Sequence, residues 1–335
     1  MNNFIKIAVD AMGGDNAPNK IIDGISLHNK NSKNIFYRIF GNKEKIEPLI
    51  LKKNISKDKY EIIHTESKVE GEDSALAAAK KGKNTSMWLA IESVKKKTSD
   101  AIISAGNTGA LFVISKLNLK MIENIDKPAL SGLWPNKTGM NIVLDLGANI
   151  ECSEKNLIDF SIMGSALYRS LFDNETPKVA LLNIGSEELK GNSIIKNTFQ
   201  KINELKNPIY EFHGFIEGNH IMDGKVNVIV TDGFTGNVAL KTAEGTANFI
   251  TSELKKVLSS NILGKISSFL NTKNIKKFKN KLDPRLYNGA ILLGLDAPVI
   301  KSHGGTDFIG FANSLLVCEK IIRGKLIDKI KDNIS

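Results

Sequence analysis

Two segments of this 335-residue chain share one design, an apolar run that ends in a small Gly-rich turn: Asp100-Ala-Ile-Ile-Ser-Ala-Gly-Asn-Thr-Gly-Ala110 and Val228-Ile-Val-Thr-Asp-Gly-Phe-Thr-Gly-Asn-Val238. Glycine leaves backbone N–H groups unobstructed, so a strand feeding such a turn ahead of a helix-compatible run makes a cradle for phosphate or another anion. An anionic small molecule is the first chemistry to consider. The matched glycines Gly106 and Gly233 are 233 − 106 = 127 residues apart, which fits a degenerate internal repeat or chance. Other groups that suit phosphate stand beside similar turns: Lys190 in Glu187-Glu-Leu-Lys-Gly-Asn192, Lys241 after the second turn, and Lys301 next to His303 in Val299-Ile-Lys-Ser-His-Gly-Gly305. An ammonium neutralises phosphate as a point charge, and the Asn107 and Asn237 amides can fix its oxygens. A neutral imidazole can take or give a proton near pH 7. Taken singly, each lysine is more often a solvated surface charge.

Several familiar chemistries are excluded by inspection. There is no GxSxG elbow, no HExxH, no P-loop GxxxxGK[ST] and no GxGxxG, and no histidine is followed by Asp five positions on. Cys152 and Cys318 are the only cysteines and have no CxxC or metal-ligand spacing, so neither a disulfide framework nor structural zinc is expected. The net charge of +10 invites a nucleic-acid partner. The lysines are scattered among asparagines without a nucleic-acid-binding signature, so none is expected. A basic surface equally suits an acidic carrier protein or anionic lipid heads.

The elements that must position these groups follow from the apolar patterning. Strand-like runs recur at Ile5–Val9, Phe36–Phe40, Tyr60–His64, Ala101–Ser104, Asn141–Leu146, Lys178–Ile184 and Val226–Thr231, with helical patterns such as Ser86–Lys97 between many of them. Val- and Ile-rich runs, apolar on both faces and separated by helices, predict an α/β fold, a three-layer αβα sandwich with a mostly parallel sheet. Residues 1–335 are expected to form one two-lobed α/β domain. Five runs end in Gly, Asn or Asp turns, which begin at Asp10, Ser104, Asp145, Asn183 and Thr231. With the same polarity, these turns should converge on one cleft beyond the strand ends.

Residues 246–283 differ. Apolar residues recur there at helical spacing, and Lys255 to Lys281 contains eight lysines and no acidic residue. This basic amphipathic arm reads as an interfacial helix, a partner-binding helix, a dimer arm or an ordinary helical pair. The first ten residues lack a signal-peptide pattern, and no apolar stretch reaches the roughly 18 residues of a spanning helix. A cytoplasmic protein is expected.

The residues also carry a family resemblance. Ile7-Ala-Val-Asp-Ala-Met-Gly-Gly-Asp-Asn-Ala-Pro18, Ser104-Ala-Gly-Asn-Thr-Gly-Ala110, Leu144-Asp-Leu-Gly-Ala-Asn149, Leu181-Leu-Asn-Ile-Gly185 with Lys190-Gly-Asn192, Val230-Thr-Asp-Gly-Phe-Thr-Gly-Asn237 and Val299-Ile-Lys-Ser-His-Gly304 resemble, in order, the bacterial phosphate acyltransferase family PlsX. The resemblance implies a fold like that of phosphate acetyltransferases and isocitrate-type dehydrogenases, and a homodimer without metal or nucleotide cofactor. The implied reaction is reversible attack of inorganic phosphate on the thioester of a fatty acyl carrier protein, giving acyl phosphate for a membrane glycerol-3-phosphate acyltransferase. A short-chain acyl-CoA phosphotransacylase and a non-catalytic lipid- or carrier-binding scaffold stand as alternatives.

A thioester already has a good leaving group, so the protein has to hold phosphate in line with the carbonyl and stabilise the oxyanion. Lys190, Lys301, His303, Asn237 and Asp232 are the expected catalytic set. Lys190 and Lys301 supply charge, His303 protonates the departing thiolate or orients phosphate, and Asp232 orients one of these groups. Asp10, Gly13, Gly14, Asn107, Thr108, Gly109, Asn149, Gly233, Thr235 and Gly236 are expected around the substrate, and Cys152 has no role. The resemblance also implies peripheral attachment at the inner face of the cell membrane, with Leu263, Ile266, Phe269, Lys276 and Lys277 touching lipid or carrier. The chain departs from the family where Ala79-Lys-Lys-Gly-Lys83 replaces arginines, which keeps the charge but loses the bidentate fork. It departs again at Tyr287-Asn-Gly-Ala290 and His303-Gly-Gly-Thr-Asp307, where many members have paired glycines and a Ser pair.

Overall fold

A computed structural model describes residues 4–172, 175–205, 207–261, 267 and 269–334. Among them lie the strands β1 (Ile5–Asp10), β2 (Ile35–Gly41), β3 (Tyr60–His64), β4 (Ala101–Ser104), β5 (Ala129–Pro135), β6 (Met140–Leu144), β7 (Lys178–Asn183), β8 (Glu211–Glu217), β9 (Val228–Val230), β10 (Ala290–Leu293) and β11 (Val299–Lys301). The helices are α1 (Asn19–Asn31), α2 (Lys43–Lys52), α3 (Ala75–Lys81), α4 (Ser86–Lys95), α5 (Thr108–Asn118), α6 (Glu154–Leu171), α7 (Ser193–Leu205), α8 (Gly233–Ser259), α9 (Thr272–Lys281), α10 (Phe308–Arg323) and α11 (Leu326–Lys331). All seven expected runs are strands. The strands β5, β8, β10 and β11 were not anticipated.

The eleven strands form one sheet in the order β3-β2-β1-β4-β11-β10-β5-β6-β9-β7-β8. Runs such as Ala101-Ile-Ile-Ser104 are buried throughout, as a sheet covered on both faces requires. One face is covered continuously: Val9, Ile103 and Ile300 share a single core with Phe311 of α10 and Phe160 and Met163 of α6. On the opposite face the core splits. Ala8, Ile102, Leu292 and Val299 pack with Met87 of α4 and Ile114 of α5, whereas Val143, Ala180 and Ile229 pack against Ala239, Leu240 and Ala243 of α8. The gap between these two clusters is a cleft.

The pairing corrects the expectation that all the strand ends point one way. β10 runs antiparallel to β11 and to β5, and β5 runs antiparallel to β6, so β6, β9, β7 and β8 run opposite to β1, β2, β3 and β4. The turns nonetheless approach, because the two halves stop at nearly the same level. Ser104 ends β4 opposite Lys301, which pairs with Ala290, while Leu144 ends β6 opposite Ser131, which pairs with Ile291, the next residue along β10. One residue step is about 3.3 Å. The carboxyl ends of the two halves meet head-on rather than side by side.

Candidate active site

Each half builds its strand-end turn around a buried carboxylate. Asp10, 1% exposed, ends β1; its Oδ1 accepts from Ser86 Oγ at 2.6 Å and its Oδ2 accepts from Ser104 Oγ at 2.6 Å. Ser104 Oγ in turn accepts the Gly106 N–H at 3.0 Å. The two turns touch so closely that a Cβ on Gly13 would lie 2.6 Å from the Gly106 nitrogen. Asp145, fully buried, follows β6 and accepts the N–H groups of Leu130, Gly147, Ala148 and Asn149 at 2.8–3.1 Å, together with the Asn149 side-chain amide at 2.8 Å. A Cβ on Gly233 would lie 2.8 Å from Asp145 Oδ2, and one on Gly236 would lie 1.9 Å from the Asp145 carbonyl oxygen. Burial pushes both carboxyls above the usual carboxylate range. Asp10 reaches the first Gly-rich turn through Ser104, and Asp145 lies directly against the second at Gly233.

The structure differs from the sequence reading at several residues. Asn107 caps α5 by accepting the Ala110 N–H at 3.0 Å, and its amide donates to the Gly71 and Asp73 carbonyls at 2.8 and 2.9 Å. Asp232 caps α8 by accepting the Thr235 N–H at 2.8 Å and the Thr235 hydroxyl at 2.9 Å. Asn237 donates to the Leu146 carbonyl at 3.1 Å, and the Asn149 amide also donates to the Pro128 carbonyl at 2.7 Å. These polar groups hold turns in place. Gly233 and Gly236 serve to let the first turn of α8 lie directly on residues 145–149.

The cationic groups fall into a tight cluster at the ends of β1, β4 and β11. Lys20, on the first turn of α1 and only 7% exposed, donates to the Gly304 carbonyl, and Lys301 donates to the Ser302 carbonyl. Neither ammonium has an ion-pair partner among the described residues. Lys301 is pushed down to about 8, first by burial and then by the charge of Lys20, with Asp10 acting the other way. Burial likewise lowers Lys20, against an opposing pull from Asp15. Two neighbouring ammoniums that have no ion pair among the described residues, one lowering the other, favour an anion. Gly14, with φ +81°, lies against this cluster; a Cβ there would be 2.7 Å from the Ala105 carbonyl oxygen and 3.1 Å from Lys20 Nζ. Gly14 is glycine for both conformation and space.

His303 completes the cluster. Its backbone N–H donates to Asn288 Oδ1 at 2.9 Å, and its Nδ1 accepts the Gly305 N–H at 3.1 Å, so the neutral ring carries its proton on Nε2. Burial, then the nearby Lys301, keeps the imidazole below its ordinary value. Lys241 and Glu244 of α8, paired at 2.8 Å, also act on His303, which places this part of α8 near it. The cleft holds about 350 Å³ and is lined by Thr108 and Gly109 from the first Gly-rich turn, Gly147 and Ala148 from the opposing half, Lys301, and apolar side chains of α5 and the sheet.

Lys190 is not brought to this cluster by any described contact. It is exposed, in a turn beyond β7 in which its N–H donates to the Glu187 carbonyl at 3.0 Å and its carbonyl accepts from Asn183 Nδ2 at 3.2 Å. Cys152 is buried and its thiol is pushed up to about 11 by burial, a poor nucleophile. Sequence reasoning did not single out Lys20 and read Asp145 only as the start of a turn. Phe269 is 80% exposed, and Lys276 and Lys277 lie exposed on α9; Leu263 and Ile266 lie outside the described residues.

The fold is that of the phosphotransacetylases. The EutD phosphotransacetylase from Staphylococcus aureus superposes with a TM-score of 0.61 at 16% identity, covering 97% of this chain and 95% of that one. Within that fold the chain belongs to the family described as "Fatty acid synthesis protein", whose profile matches residues 5–328. It is 70% identical over 334 residues to a phosphate acyltransferase of Pelagibacter ubique, covering 100% of both chains. It is 42% identical to one of Rhodospirillum rubrum, covering 100% of this chain and 96% of that one. The protein is an acyltransferase.

Proposed function

We infer that the cleft transfers a long-chain fatty acyl group from the thioester of acyl carrier protein to inorganic phosphate, giving acyl phosphate and free carrier thiol. The observation that carries this reading is the Lys20–Lys301–His303 cluster, whose two ammoniums have no ion pair among the described residues and whose Lys301 lines an apolar cleft. Phosphate sits against Lys20, Lys301 and the N–H-rich turns around Gly13, Gly14, Thr108 and Gly109, and His303 donates its Nε2 proton to it. A phosphate oxygen forms a bond to the carbonyl carbon, the C–S bond breaks, and the sulfur leaves as thiolate and takes a proton. The ammoniums stabilise the charge that develops on the carbonyl oxygen. Asn107, Asp145, Asn149, Asp232 and Asn237 act by positioning the turns.

Around this chemistry the remaining assignments follow the family. Residues 1–335 act as one two-lobed catalytic domain with an arm at 246–283, the chain works as a homodimer in the cytoplasm, and its product passes to a membrane glycerol-3-phosphate acyltransferase. Among the described residues no helix is long and apolar enough to cross a membrane. α8 keeps Phe249, Ile250 and Val257 at 50–66% exposed, and α9 buries none of its residues. Such a basic, apolar projection suits peripheral contact with anionic lipid. The test is a comparison of donors: phosphate-dependent thiol release should be fast with palmitoyl carrier protein and slow with acetyl-CoA. The reverse order makes this a short-chain phosphotransacylase, and no acyl phosphate from any donor overturns the enzymatic reading.

A further inference from the structure

The register of the sheet places an apolar floor at a set distance from the cationic cluster. Val299 of β11 pairs with Leu292 of β10, and Leu292 pairs with Leu130 of β5, so these three side chains form one row across three strands and share one face. All three line the cleft. Lys301 lies two residues beyond Val299 on the same strand and therefore on the same face, about 7 Å along it. Phe112 and Val113 of α5 form the opposing wall. Asp145 accepts the Leu130 N–H and Leu146 donates to the Leu130 carbonyl, at 3.0 and 2.8 Å, so the far end of the row is clamped on both sides of its backbone.

We propose that this row and its opposing wall are the acyl-chain site, with Leu130 and Phe112 as the residues that set acyl-chain length. This rests on the transfer reaction inferred above. A thioester carbonyl held at Lys301 and Thr108 directs its first methylenes over Val299, then Leu292, then Leu130. The occupant has to be an amphiphile with a reacting head and an apolar tail, because the cation and the apolar row belong to one continuous lining. A short acyl group would leave the row uncovered.

Each methylene that the row covers should raise kcat/KM about fourfold, up to the length at which the chain leaves the cleft. The experiment measures phosphate-dependent release of carrier thiol with acyl carrier protein donors from butyryl to stearoyl. Leu130→Trp, which fills the far end, is expected to lower the long-to-short ratio of kcat/KM at least tenfold and to move the break in the series to shorter chains. Phe112→Ala is expected to move that break to longer chains. Thermal melting of both variants separates a blocked site from a misfolded one, and Phe112→Ala carries the test if Leu130→Trp does not fold. Wild-type activity with a ratio unmoved in both folded variants overturns this assignment and leaves the transfer reaction standing. A wild-type protein that makes no acyl phosphate from any donor overturns both.

Discussion

Raising the pH, with Lys301→Arg as the comparison, tests Lys301 against the other titrating groups of the site, Lys20, which burial also lowers, and phosphate itself. The Lys301 ammonium is pushed down to about 8 by burial and by Lys20, whereas His303 titrates below its ordinary value and away from that window. If phosphate binds the protonated form, apparent affinity falls as the proton is lost. The protonated fraction drops from about ten elevenths at pH 7 to about one eleventh at pH 9, a tenfold rise in KM for phosphate or about 1.4 kcal/mol. Stability has the opposite sign. A buried lysine with a depressed pKa is disfavoured in its charged form, and the unfolded chain holds its proton up to about pH 10.4. Between pH 8 and that value the unfolded state binds more protons, so the free protein gains stability as pH rises. The assay is the phosphate KM from pH 7 to 9.5 by thiol release, with Lys301→Arg as the variant whose guanidinium stays charged. A flat profile in wild type, or an equal slope in Lys301→Arg, refutes the reasoning.

Other perturbations read other parts of the account. Gly236→Ala puts a methyl carbon 1.9 Å from the Asp145 carbonyl oxygen and should cost ~3 kcal/mol or more in chemical denaturation; Gly245→Ala, with nothing within 4 Å on the same helix, should gain up to about 1 kcal/mol. Asp145→Ala strands four backbone N–H groups and is expected to lower stability by ~4 kcal/mol, visible as a lower melting temperature. Lys20→Ala should raise the phosphate KM at least tenfold, the loss expected when a charge-assisted contact of ~1.5–3 kcal/mol is removed; an unchanged KM removes Lys20 from the site. Phe249→Ser combined with Phe269→Ser should abolish sedimentation with anionic liposomes while leaving soluble turnover at the wild-type rate.

Much of the frame was legible in the sequence because buried parallel strands are uninterrupted apolar runs. Ile5–Asp10 and Ala101–Ser104 could hardly be read otherwise. β5, Ala-Leu-Ser-Gly-Leu-Trp-Pro, carries Ser, Gly and Pro, and β11 is only three residues long; neither makes a pattern, yet both line the cleft. The direction of the second half was illegible for that reason, since the reversal passes through β5 and β10. Thr108, Gly109, Lys301 and His303 were named as candidates because chemistry and turn signals coincide at those positions. Asn107, Asp232 and Asn237 were read as ligands although the same residue types cap helices and tie turns. Lys20 gave no signal beyond its place just after the Gly13-Gly14 turn, because a lysine on a helix is ordinarily solvated and its burial comes from the loop at Gly304.

The central claim is that inorganic phosphate is the nucleophile. Incubation of the protein with palmitoyl carrier protein and fully oxygen-18-labelled phosphate, followed by mass spectrometry of the acyl phosphate, tests it most directly. The account predicts a phosphate-dependent product that retains every labelled oxygen, including the one bridging carbon and phosphorus, with one carrier thiol released per product. Thiol release that is independent of phosphate, or a product that has lost the bridging label, would contradict it.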